Sequence, residues 1–419
     1  MESPTIEYTA QLVSPRINGE VKLVITDKAL VINSLFDTEE APFAEINALS
    51  LADYAVKVKA DAGVYVFSRL GNWCQPFYDL LCEAYNKAVL RSLFVKEEPI
   101  ITVKGNYNYT EAATDIDGAA PIHVYDNSVV ILPTDLGARR IPLCFTNDLQ
   151  KGDFELTLKL DTGESYTLAK LGYETAPFAD AVEKQIRALR ERTIAAAKEI
   201  DASLSVIQAS QIAKLAPQGA AVSFEQLNGI APSFTAALEE KIKDTRAAEG
   251  YETFKEISDP AKIRIGFRKN EGMFDGAAEG TAVGSIEGLT DGTAELTPDG
   301  TSDDTQPEPY LLWLIAPSPD GQFAAVEFAE ENSATFVYKT RGDFDGFAMM
   351  LNRAIEAIDF RREVIRLSDE ELRKPENADY FMASKRTAAL RFIRSNFVGR
   401  VIHSSPDAWK RKLKEFWGL

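Results

Sequence analysis

Cysteine and histidine are scarce in this chain. Its 419 residues hold three cysteines, Cys74, Cys82 and Cys144, and two histidines, His123 and His403. An odd, sparse cysteine set without Cys-Xaa-Xaa-Cys spacing builds no disulfide framework and points to a reducing, cytoplasmic compartment. Two histidines leave little for a histidine-ligated metal. No apolar run approaches the roughly 18 residues that a membrane span requires. Met1-Glu2-Ser3-Pro4 offers neither a basic nor an apolar leader, so no secretory signal is expected. Positive charge is the minority sign: 46 Lys and Arg against 64 Asp and Glu leave a formal net charge of -18. That balance disfavours general binding to nucleic acid.

What the chain does have is length and internal repetition. Its length predicts two to four domains, and a period near 100 residues divides it further. Tyr8-Thr9 is matched by Tyr109-Thr110, and the run from Ile25 to Ile32, read as a strand, by that from Val124 to Ile131. Val56, Val58, Lys59, Asp61 and Gly63 answer to Leu156, Leu158, Lys159, Asp161 and Gly163. Leu70-Gly71, Pro76-Phe77 and Asp79 answer to Leu171-Gly172, Pro177-Phe178 and Asp180. Within each copy, apolar and polar residues alternate with period two across hairpin signals at Asp61-Ala62-Gly63 and Asp161-Thr162-Gly163. The period then turns helical. Phe77, Leu80, Leu81, Ala84 and Ala88 share one helix face, as do Phe178, Val182, Ile186 and Leu189.

A third, degenerate copy is expected over 260–366. Its strands would begin at Lys262, Tyr310, Phe323 and Phe336, and its helix would carry Phe347, Met350, Leu351, Ala354 and Ile358. Short antiparallel strands closed by one amphipathic helix resemble the pleckstrin-homology-like superfold, in its bacterial tandem form. The resemblance rests on element order. It implies an α+β chain of bent antiparallel sheets, each capped by a C-terminal helix. Lipid-reading members carry basic residues around the first hairpin. Here that loop offers Arg16 against Glu20, and the second copy has Asp115 and Asp117. The expected organisation is module one at 1–98, module two at 99–198, a helical spacer at 199–259, module three at 260–366 and a basic helical tail at 367–419.

Residues 270–338 contain no Lys or Arg and fourteen acidic residues, so an acidic, mobile loop is expected at 276–309. From Lys385 onward the sign reverses, with nine basic residues against two acidic ones. Ser405-Pro406-Asp407 reads as a helix start. Trp409, Leu413, Phe416 and Trp417 follow on one face, with Lys410, Arg411, Lys412 and Lys414 around them. This basic, Trp-bearing helix has three possible seats: the chain's own third module, a partner's groove or an anionic membrane surface.

Catalytic patterns are thin. A Cys–His pair would need one of three cysteines placed as packing residues. Asp115-Ile116-Asp117-Gly118 and the run from Asp299 to Asp304 do not complete a calcium loop, and Asp-Gly steps suit turns. The Gly-rich run Gly276–Gly284 lacks the flanking strand and helix of a phosphate loop. No catalytic, cofactor-binding or metal-ligating residue is assigned, and no cofactor is expected. The sequence predicts a non-enzymatic cytoplasmic adaptor or scaffold with protein partners and no nucleic acid. Trp409, Lys410, Arg411, Leu413, Phe416 and Trp417 are its candidate interaction residues. A peripheral membrane protein anchored by the same helix is the alternative. An enzyme working through acidic residues is a remoter one.

Overall fold

A computed structural model describes residues 6–95, 98–111, 114–245, 247–269, 310–329, 334–403 and 405–418. The expected acidic loop at 276–309, with its Gly-rich and Asp299–Asp304 runs, lies outside the described residues.

Seven strands open the chain: β1 (Glu7–Val13), β2 (Asn18–Ile25), β3 (Ala29–Asn33), β4 (Thr38–Pro42), β5 (Ile46–Ala52), β6 (Ala55–Ala60) and β7 (Gly63–Ser68). They form one antiparallel sheet in the order β4-β3-β2-β1-β7-β6-β5, followed by α1 (Cys74–Ser92). Module two repeats this with β8 (Ile101–Glu111), β9 (Thr114–Val124), β10 (Ser128–Ile131), β11 (Arg139–Pro142), β12 (Thr146–Gly152), β13 (Glu155–Leu160), β14 (Ser165–Ala169) and α2 (Thr175–Ile200). Its order, β11-β10-β9-β8-β14-β13-β12, is the same strand for strand. The expected fold class therefore holds: α+β, with repeated antiparallel sheets each capped by a helix. Period-two patterning explains the strands. Val56, Val58 and Ala60 of β6 point inward while Lys57 and Lys59 face solvent; Leu156, Leu158 and Leu160 of β13 do the same. Phe77, Leu81 and Tyr85 of α1, and Phe178 and Val182 of α2, fill the concave side of each sheet. Burying one such side chain contributes about 1.5–3 kcal/mol.

Two details of the repeat differ from the sequence reading. Tyr8 does not answer to Tyr109. Leu12 pairs with Phe67 and with Gly19, whereas Tyr107 pairs with Leu168 and with Gly118. Leu12 therefore corresponds to Tyr107, and Tyr8 to Val103. The β8–β9 hairpin is longer, and its extra residues shift the apparent Tyr-Thr match. The run from Ile25 to Ile32 is also no single strand. Thr26 turns the chain between β2 and β3, with its Oγ1 accepting from the Ala29 N–H at 2.9 Å. The matched residues are equivalent, but they repeat a turn.

A shared elbow joins last strand to helix. Arg69, Lys170 and Arg341 all adopt left-handed backbone, each followed within two residues by a left-handed glycine, Gly71, Gly172 or Gly342. Glycine takes that conformation without steric cost. The third such elbow precedes the helix Phe344–Ala357 and links the third sheet to the pattern of the first two.

After α2 come α3 (Val206–Leu215), the short strand β15 (Val222–Ser223), α4 (Phe224–Ile230), α5 (Pro232–Lys243) and α6 (Ala248–Ile257). Then follow β16 (Arg264–Lys269), β17 (Tyr310–Pro317), β18 (Phe323–Phe328), β19 (Ala334–Lys339) and α7 (Phe344–Ala357). The chain ends with α8 (Glu363–Arg366), α9 (Asp369–Leu372), α10 (Ala378–Arg386), α11 (Ala388–Asn396), β20 (Phe397–Ile402) and α12 (Pro406–Trp417). All four strands expected of module three form, but the sheet runs β15-β16-β17-β18-β19-β20 in simple sequence. It does not repeat the order of the other two. Its edge strands come from outside 260–366: β15 from the expected spacer and β20 from the expected helical tail. Phe397–Ile402 pairs with β19 across a register shift at Val337/Tyr338: Gly399 and Val401 lie on the α12 face, and Phe397 packs against Tyr338 on the other. One face of this sheet packs on α5, α6 and α12, the other on α7 and α11.

Candidate functional site

The predicted interaction helix is α12. Ser405 Oγ caps it by accepting from the Ala408 N–H, Pro406 sits in its first turn, and left-handed Gly418 ends it. Trp409, Leu413 and Trp417 are buried in the third core, beside Phe254 of α6. Trp409 Nε1 donates to Thr335 Oγ1 at 2.9 Å, Thr335 Oγ1 donates to the buried Glu327 at 2.7 Å, and the His403 ring stands 4.5 Å from the indole. Phe416 is half-buried over Gly399. Lys410 pairs with Glu256 of α6. Of the six candidate interaction residues, Arg411 alone is exposed. The helix takes the seat on the chain's own third module. Its apolar face is core, because three large side chains are worth more inside a formed cavity than at a surface.

Most of the tail's positive charge is likewise used internally. Lys385 Nζ donates to Asp61 at 2.8 Å and to the Ala44 carbonyl at 3.0 Å, both in module one. Arg386, deeply buried, donates to Tyr85 OH at 2.6 Å. Arg391 pairs with Glu111 of module two, which also holds Arg139. Arg394 reaches Asp369 at 2.8 Å. Burial pushes the Lys385 ammonium and the Arg386 guanidinium below their ordinary values, against the pull of these partners.

A second ionic seam joins module two to α7. Arg140 donates to Glu356 at 2.6 Å, and Arg353 donates to Glu356 at 3.2 Å, to Glu164 at 3.0 Å and to the Arg140 carbonyl at 3.1 Å. Thr162 and Tyr166 complete the shell of Glu164. Burial works to raise the Glu164 carboxyl, but the Arg353 charge and these hydrogen bonds outweigh it and hold it below its ordinary value. The same carboxylates keep Arg353 charged despite its burial. Modules one and two also meet directly: the Leu49 N–H of β5 donates to the Thr134 carbonyl at 2.8 Å. The sequence reading missed these seams. Their signal was Arg139-Arg140 opening a strand in an acidic chain, with Arg353 and Glu356 on the otherwise apolar face of α7.

The sparse chemistry-bearing residues do not converge. Cys74 and Cys82 lie on α1 and Cys144 precedes β12. Burial pushes the Cys82 thiol up to about 11, and raises Cys74 and Cys144 as well. These are packing thiols rather than thiolates. His123 contacts Thr102 at 2.8 Å, and burial lowers its pKa. Asp115 accepts from Thr110 within the β8–β9 hairpin, so that Asp-Xaa-Asp-Gly run is strand. Among the described residues no group of three or more His, Cys, Asp and Glu side chains gathers as metal ligands, and no helix is long and apolar enough to cross a membrane.

Several exposed apolar side chains stand at hairpin tips. Leu35 and Phe36, between β3 and β4, are 85% and 93% exposed. Ser34 Oγ accepts from the Asp37 N–H at 2.9 Å and fixes their turn. Tyr54 and Phe154 occupy the same position in the β5–β6 and β12–β13 hairpins, both in left-handed backbone and both exposed. Tyr173 is fully exposed beside the second elbow.

The architecture defines an α+β protein whose antiparallel sheets and capping helices fit the pleckstrin-homology-like superfold. No protein-family model and no curated protein matches the chain. Among solved structures it is similar to one titled "Structure of the Spt16D Pob3N heterodimer", at 11% identity and a TM-score of 0.17, covering 38% of this chain and 86% of that one. A likeness at that score carries no argument.

Proposed function

We propose that the chain is a non-enzymatic adaptor in which two tandem pleckstrin-homology-like modules and a third sheet form one platform for protein partners. The observation that carries this reading is the Leu35–Phe36 pair: two adjacent large apolar side chains, almost wholly exposed, held outward by a fixed turn. Exposed aromatics at equivalent tips of both modules support it, since strained backbone around an exposed aromatic suits contact with another molecule. The cytoplasmic setting is part of the same reading.

The test is the double substitution Leu35→Ser/Phe36→Ser in the full chain. At exposed positions it should leave stability within about 0.5 kcal/mol. Stoichiometric co-purification of a native partner should be lost. A partner set unchanged by the substitution would contradict the reading. Sedimentation with anionic vesicles that depends on residues 405–419 would replace it with a peripheral membrane role, for which α12 would have to leave its seat.

A further inference from the structure

The sheet edges of this protein are guarded, with one exception. β4 carries Glu39, Glu40 and Pro42, and β12 carries Asp148, Lys151 and Gly152. β5 is covered by the Thr134 segment of module two. β11 lies buried and joins α7 through the Arg140 seam. β15 is two residues long. Charge, proline, brevity and cover are the usual means of preventing stray strand pairing.

β20 has less of this. It is an edge strand of six residues, and among the described residues no segment pairs with its outer side. Val398, Arg400 and Ile402 alternate along it and are all exposed, Ile402 by 56%. Phe392 of α11 adds a third partly exposed apolar side chain nearby in sequence. On the opposite face α12 lies against β20. Lys410 reaches Glu256 of α6, which orients the helix. By helical periodicity the flank carrying Lys412 and Phe416 then faces away from α6 and toward β20, where Phe416 touches Gly399.

The charges there have one dominant sign. Five of the tail's nine bases, Lys385, Arg386, Arg391, Arg394 and Lys410, are engaged by their own chain. The remaining four, Arg400, Arg411, Lys412 and Lys414, all lie on β20 and α12; Lys414 acts at longer range on Glu256, and none of the four makes a close ion pair among the described residues. Asp407 and Glu415 are the acids on the same helix.

We propose that the outer edge of β20 is the docking site for an extended acidic segment of a partner protein, added to the third sheet as a seventh strand. This rests on the adaptor reading and assigns it a site. Backbone groups of β20 supply the pairing, and alternate side chains supply the specificity. Acidic side chains of the added strand meet Arg400 on one face and Lys412 on the other. Its apolar side chains meet Val398 and Ile402.

The experiment uses the full chain and a fluorescent peptide, Val-Glu-Glu-Glu-Val-Glu, whose one face carries glutamate between two valines and whose other face carries glutamate throughout, with a counterpart carrying lysine for glutamate. The valine–glutamate peptide should bind with an affinity that falls as salt rises, and binding should slow amide exchange at 397–402. The lysine counterpart should not bind. Arg400→Glu and, separately, Lys412→Glu should each weaken binding at least tenfold with the melting temperature unchanged. Equal binding by Arg400→Glu, equal binding of the lysine peptide, or protection away from β20 would overturn the proposal. If the peptide fails while Leu35→Ser/Phe36→Ser still abolishes partner capture, the edge assignment falls and the adaptor reading stands.

Discussion

At the scale of single residues, the interior is set by aromatic side chains placed once per module. Phe77 and Phe178 start the buried faces of α1 and α2 at equivalent positions, and both are fully enclosed. Phe77 packs edge-on against Tyr8 and Phe67, at ring separations of 5.1 and 6.2 Å. Truncation removes those contacts and leaves a void that the surrounding sheet cannot close. Phe77→Ala and Phe178→Ala are each expected to destabilise the protein by about 3–5 kcal/mol. Urea midpoints measured on both variants check this. Both phenylalanines were legible in sequence, because helical spacing and a repeat match coincide there. Arg140 and Arg353 were not. Period and composition place charged residues at a surface, and only the fold brings Glu356 and Glu164 to meet them.

At the scale of elements, the joint between β11 and α7 is the most demanding contact. Three buried or nearly buried charges, Arg140, Arg353 and Glu356, are tolerable only together. Glu356→Ala leaves two guanidinium groups short of a partner and is expected to cost about 3–5 kcal/mol. Thermal or urea unfolding measures it. Replacing Arg140, Arg353 and Glu356 together with apolar residues of similar volume should cost much less. The seam also predicts acid sensitivity. The Glu164 carboxyl titrates lower in the folded protein than its ordinary 4.5. Its contribution is therefore complete above that ordinary value and is lost as pH falls through the lower folded value. Glu164→Gln should flatten the acid limb of the stability profile. Sequence patterning showed the period-two hairpins β6–β7 and β13–β14 plainly, because one face of each is buried and the other wet. It did not show β20. Strand alternation in Phe397–Ile402 is short and follows directly on the helical pattern of α11, so the tail read as helix throughout. The third sheet's order was also hidden, since its edge strands lie far apart in sequence.

At the scale of the whole molecule, the tail decides the character of the protein. It leaves α7, holds module one through Lys385 and Arg386, holds module two through Arg391, and closes the third sheet with β20 and α12. Two of the joining bonds, Arg140–Glu356 and Arg386–Tyr85, are buried and span more than 200 residues of sequence. Two modules of one topology and a third sheet of another are thereby held in contact, with Leu35, Phe36, Tyr54 and Phe154 exposed at hairpin tips. That the three parts behave as one rigid body is the central claim, because the proposed adaptor role requires fixed tips and edges. Urea unfolding followed by two probes tests it directly: far-ultraviolet dichroism for all three sheets, and tryptophan fluorescence weighted to the third core by Trp313, Trp409 and Trp417. Coincident transitions by both probes are expected for the full chain, and separate transitions after removal of residues 378–419. Separate transitions in the intact protein would contradict the account.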